Sequence, residues 1–143
     1  MVDLRDSLHV PEALDQGQLS SCTANAASNL LRYMLRRGGE RDFQPSRQFI
    51  YYNTRVKIAH QSPRVDEGAC LRDVCKALKA YHACPEEVWP YGRDPQRIAT
   101  QEPSAAAYAA AKKHSVTYVR VPQTEYHFCA CLQQGLPIMI GLK

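Results

Sequence analysis

The order of periodicities constrains this chain more than any other feature: helical spacing fills the first two-thirds, and β-branched runs enter only afterwards. Ala27, Leu30, Leu31 and Met34 recur at three- and four-residue steps and predict a helix from about Cys22 to Arg37. Ser28, Asn29, Arg32 and Arg36 fall on its other side, Ser20 or Ser21 can cap its start, and Gly38-Gly39 stops it. A second helix is predicted from Ser46 to about Ile58, burying Phe49, Ile50 and Val56. A third covers about Ala69 to Tyr81, with Leu71, Val74, Cys75 and Leu78 in register. The turn-rich "CPEEVWPYG" follows, and "SAAAYAAAKKH" (Ser104 to His114) reads as an Ala-rich helix. "SVTYVRV" (Ser115 to Val121) and "LPIMIGL" (from Leu136) read as strands flanking a short helix from about Thr124 to Gln134. Helices first and strands late predict an α+β fold with segregated layers.

Composition narrows the function. With 143 residues, 45% apolar and 22% charged, the chain is an ordinary globular sequence. The net charge of +4 is scattered, with no basic run, which argues against a nucleic-acid partner. The longest apolar run, "LPIMIGL", is far too short to span a bilayer. "MVDLRDSLHV" lacks the basic and apolar regions of a signal peptide, so a cytoplasmic or intracellular location is expected. The six Cys form no C-x-x-C pair, so no metal and no cofactor is expected, and most thiols are expected to be reduced. Cys75 lies on an apolar stripe and reads as a core residue.

The stretch "DQGQLSSCTANA" carries the chemistry. Gln16 and Gly17 precede Cys22, which opens a helix. A helix N-terminus favours the thiolate, the nucleophilic form of cysteine. The Cys22 backbone N–H and the Gln16 side-chain amide together can form a two-donor oxyanion hole. Gly17 is expected to let the loop pass close to the helix start.

These residues resemble the papain-like (C1-type) cysteine peptidases, especially bacterial- and viral-type members without a propeptide. The matching blocks are Gln16-Gly17-x4-Cys22, "VDLRD" with Pro11, "PSRQFIYYNTR" (Pro45 to Arg55) and "DEGACLRDVCKALKAYHACPEEVWPYG" (Asp66 to Gly92). The resemblance implies a left helical domain over 1–95 that holds the nucleophile, and part of a right-hand β-barrel over 96–143. It further implies Cys22 as nucleophile, Gln16 as oxyanion donor and Gly68 as a substrate-cleft glycine, with Trp89-Pro90-Tyr91 structural. Two departures stand out: Thr23 replaces the aromatic residue that usually follows the nucleophile, and Leu19 stands where a disulfide Cys often lies. The family's general-base His and orienting Asn follow a strand resembling "GLPIMIGL", and only Lys143 follows that run here. The chain thus reads as truncated before both. His9, His60, His82, His114 and His127 match no family position, and each reads as a surface or satisfied histidine.

Two functions compete. One is a thiol peptidase acting on a peptide or protein substrate, inactive as written unless a His comes from elsewhere. The other is a catalytically inactive relic, a binding or structural module whose 136–142 strand pairs with a second chain. A weaker third reading is a redox thiol protein using Cys22 and another Cys.

Overall fold

The computed structural model describes residues 3–6, 9–92, 94, 100–111 and 116–141. After a 3-10 turn (Leu4–Asp6) come α1 (Cys22–Arg37), α2 (Arg47–Tyr52), a π-helical segment (Asn53–Ile58), α3 (Leu71–Tyr81), α4 (Ala105–Ala110) and α5 (Glu125–Gln133).

The bounds of α1 match the predicted ones, but its buried face is rotated. Ala24, Ala27, Leu31 and Leu35 enter the core, while Leu30 and Met34 are half-buried. Ser28, expected on the outer side, is fully buried. Its hydroxyl donates to the Pro45 carbonyl (2.5 Å) and accepts from Gln44 Nε2 (2.6 Å). A small hydroxyl lets the 44–45 segment lie against the helix with its polar atoms satisfied.

The second predicted helix is two structures in sequence. Ser46 caps α2 through its Oγ, which accepts from the Phe49 N–H (3.1 Å). Beyond Tyr52 the helix widens. Asn53 Nδ2 donates to the Phe49 carbonyl (2.8 Å) and Thr54 Oγ1 to the Ile50 carbonyl (2.7 Å), a turn back in each case. Such back-bonding competes with the regular ladder and favours a π-helical turn. Phe49, Ile50, Tyr51, Asn53, Thr54 and Arg55 are all buried, so this segment forms the centre of the molecule. Val56 is half-buried. The main core joins Leu19, α1, Ile50, Tyr51, Val74 and Leu78. A smaller cluster unites Phe49, Cys84 and Ala107, with Tyr108 edge-on to Phe49 at 5.0 Å.

α4 ends at Ala110, short of the predicted His114, and 112–115 lie outside the described residues. The predicted strands are the larger difference. Among the described residues, 116–121 and 136–141 are irregular, and the one bridge is an isolated antiparallel pair, Pro45 with Pro85. A strand exists through its ladder partners, and β-branched composition supplies none. The β-barrel portion and the pairing strand at 136–142 are therefore not formed within the described residues; Ser115 and Leu142 lie outside them. Val116 and Met139 still pack against the main core. Arg37 holds the end of α5 by donating to the carbonyls of Gln134 (2.7 Å) and Gly135 (2.9 Å). α5 itself buries no residue.

Candidate active site

Leu19 is 2% exposed and anchors the loop before α1 in the core. From that anchor the chain turns outward to Cys22, the first residue of α1, which is exposed. Exposure separates Cys22 from Cys84, whose thiol is buried and pushed up to about 11 by burial. Cys75 packs half-buried against the main core, and burial raises its thiol as well. All six cysteines are free thiols.

The start of α1 carries no side-chain cap and no acidic residue in its first turn. This corrects the expected cap by Ser20 or Ser21. Ser21 precedes the helix, but its Oγ lies 2.6 Å from the Tyr91 hydroxyl and accepts from Asn25 Nδ2 (3.0 Å). Ser20 uses its backbone N–H on Asp66 Oδ2 (2.9 Å). The helix start keeps its positive end uncovered by any cap, next to an exposed sulfur.

Gln16 is half-buried, and its Nε2 donates to the Leu19 carbonyl (2.9 Å). A carboxamide has two N–H bonds, so one stays available after this contact fixes the side chain. Gly17 has φ +59, and a Cβ there would meet nothing within 4 Å. The demand on Gly17 is thus conformational, where a close approach was expected. Gly68 has φ +77, and a Cβ there would lie 3.5 Å from the Ser20 carbonyl oxygen. The fold therefore brings the 66–68 turn against the loop that precedes α1. Asp66 fastens the two, because its carboxylate accepts from Ser20 N–H and from the Tyr51 hydroxyl. Burial first and the Asp66 carboxylate second raise Tyr51 well above the usual tyrosine range. Arg55 supports the same turn by donating to the Val65 carbonyl and stacking over the Tyr51 ring (4.6 Å).

Thr23 is 8% exposed, and its Oγ1 has no partner among the described residues. No described contact joins a histidine to Cys22. His9 meets Tyr33 edge-on, His127 bonds Thr124 Oγ1 (2.7 Å), and His60 and His82 sit at positive φ at the ends of the π-helical segment and of α3. None of these contacts involves Cys22, and His114 lies outside the described residues. Among the described residues no cluster of His, Cys, Asp or Glu could hold a metal ion, and no helix is long and apolar enough to cross a membrane.

Residues that the sequence reading left without a site role surround the loop. Arg47 donates to the Asp15 carbonyl (2.8 Å) and Asn25 Oδ1 (3.2 Å), pairs with Glu86 (2.8 Å) and lies 4.0 Å over the Tyr91 ring. The Tyr91 hydroxyl donates to the Gln16 carbonyl (2.9 Å). No local pattern signals these contacts, because they join segments tens of residues apart.

No protein-family model matches the sequence. An uncharacterized peptidase C1-like protein of Acanthamoeba polyphaga mimivirus is 35% identical, over 97% of this chain and 47% of the viral protein. The crystal structure of xylellain, a cysteine protease from Xylella fastidiosa, superposes with a TM-score of 0.82 at 36% identity, covering 94% of this chain and 53% of xylellain. The chain thus spans about half the length of the relatives it matches. With the exposed cysteine at the head of α1 and both matches running along nearly all of it, this chain belongs to the papain-like, C1-type cysteine peptidases.

Proposed function

We propose that these residues are the nucleophile-bearing half of a thiol peptidase. Cys22 Sγ, as thiolate, attacks the scissile carbonyl carbon, and the carbonyl π electrons move to oxygen. The Cys22 backbone N–H and the second N–H of Gln16 bond that oxyanion. The amine leaves with a proton, and water then hydrolyses the thioester to release the acid and restore the thiol. In this reading, drawn from the family resemblance, Gly68 is the glycine along which a peptide backbone lies; its own Cβ direction faces the Ser20 carbonyl oxygen at 3.5 Å. The proton relay needs an imidazole, which this reading draws from a segment beyond these residues or from a second chain. The observation that carries the reading is an exposed thiol at an uncapped helix start with no acidic residue in its first turn.

No described contact joins a histidine to Cys22, with His9 on Tyr33 and His127 on Thr124, and this favours a second reading, an inert papain-like module that binds without turnover. A peptide epoxide and a fluorogenic peptide separate the two. Covalent capture at Cys22 that is lost in Cys22→Ala, with cleavage of the peptide, supports the peptidase. An uncaptured thiol and no cleavage, in this chain and in a longer form carrying the additional segment, leave the inert module.

A further inference from the structure

The Tyr91 hydroxyl sits between two atoms of the nucleophile loop. It lies 2.9 Å from the Gln16 carbonyl oxygen and 2.6 Å from Ser21 Oγ. A carbonyl only accepts, so the Tyr91 proton points to Gln16 and its oxygen must accept from the Ser21 hydroxyl. Ser21 Oγ in turn accepts from Asn25 Nδ2 (3.0 Å). The bonds run one way, from the Asn25 amide through Ser21 and Tyr91 to Gln16, and such chains strengthen each link. Arg47 stacks over Tyr91 and reaches the loop at the Asp15 carbonyl and the first turn of α1 at Asn25.

We infer that Tyr91 is a positioning residue for the Cys22 site, holding the Ser21 hydroxyl away from the start of α1 so that the first-turn amides stay open to charge on the reacting atoms. Ser21 precedes the helix, and a serine oxygen there ordinarily accepts from the second or third backbone N–H of the helix. Here the cap bond is absent: Ser21 sits at φ −101, ψ 22, outside the extended backbone that the capping residues Ser46, Ser104 and Thr124 adopt, and in that conformation its oxygen is bonded to Tyr91 and Asn25. The same hydroxyl pins the Gln16 main chain, and with it the base of the proposed oxyanion donor. The inference rests on the proposed role of Cys22.

The test is the rate of Cys22 alkylation by iodoacetamide at neutral pH, resolved by mass spectrometry, with Cys129 as an exposed reference and Cys84 as a buried one. In Tyr91→Phe the freed Ser21 hydroxyl caps α1, and the Cys22 rate relative to Cys129 falls about two- to fivefold, the size of a helix-end electrostatic effect. Adding Ser21→Ala removes the capping oxygen and returns the rate toward wild type. A merely structural Tyr91 predicts the opposite, further damage in the double variant. Asn25→Ala releases an acceptor site on Ser21 Oγ and moves the rate in the same direction as Tyr91→Phe, which keeps the test available if Tyr91→Phe unfolds and exposes Cys84. An unchanged Cys22 rate in folded Tyr91→Phe, or a double variant no faster than the single one, overturns the inference. A wild-type Cys22 that labels no faster than Cys129 overturns the underlying reading of Cys22 as the nucleophile instead.

Discussion

Two helices of this chain begin at an exposed cysteine, and they are prepared differently. Cys22 is the first residue of α1, and Cys70 is the residue before α3; neither helix start has a side-chain cap. α3 carries Asp73 in its first turn, balanced on the outside by Lys76 at 3.0 Å. α1 has no acidic residue there, and its would-be capping serine is bound to Tyr91. A carboxylate near a thiol disfavours the thiolate, whereas an open helix end favours it. Exposure and a helix start are common to both cysteines, so neither makes a site. What distinguishes Cys22 is the polar frame around it: Gln16 braced on Leu19, Gly68 against Ser20, and the Tyr91 chain.

The sharpest way to break the comparison is to remove each sulfur in a form of the protein that cleaves peptides. Cys22→Ala should lower kcat/KM by about 10³-fold or more, as loss of a nucleophile does, while Cys70→Ala should leave it within about twofold, measured with a fluorogenic peptide. Equal losses would mean that the two helix starts are not functionally distinct. Gln16→Ala should reduce kcat by about 10²-fold, the usual cost of one oxyanion donor, with KM little changed. A KM effect alone would make Gln16 a binding residue.

Stability measurements sharpen the same contrast. Gly68→Ala should lower unfolding free energy by about 1 kcal/mol, because φ is +77 while the added Cβ meets only ordinary contacts. Denaturant unfolding checks it, with Gly17→Ala as a second positive-φ site whose Cβ meets nothing. The smallest effect is alkaline. Tyr51 is raised by burial and by Asp66, so its neutral form contributes stability below the ordinary tyrosine range. As pH climbs past about 10 the unfolded chain loses that proton first, and stability falls. Tyr51→Phe should flatten this alkaline decline, and an unchanged decline would detach Tyr51 from the 66–68 turn.

Local periodicity made the helices legible. α1 runs over the predicted residues because its apolar repeat and its Gly38-Gly39 stop are contiguous signals. The second helix hid its π-helical half, since Asn53 and Thr54 act through carbonyls one turn back and not through hydrophobic spacing. The two late strands were misread because β-branched residues mark the capacity to pair, and pairing depends on a partner. Cys22, Gln16 and Gly17 could be found together because they are neighbours in sequence. Tyr91 could not, as it reaches Gln16 and Ser21 across separations of 75 and 70 residues. Asp66 was equally invisible, bonding Ser20 across 46.

The most direct test of the central claim is a competition between the two helix-start cysteines of the native chain. Under limiting iodoacetamide at neutral pH, Cys22 should label about fivefold faster than Cys70 or more, as expected for an open helix end set against an acidic one, and Asp73→Asn should narrow the gap by speeding Cys70. Labelling of Cys70 as fast as Cys22 in the wild-type protein would contradict the account.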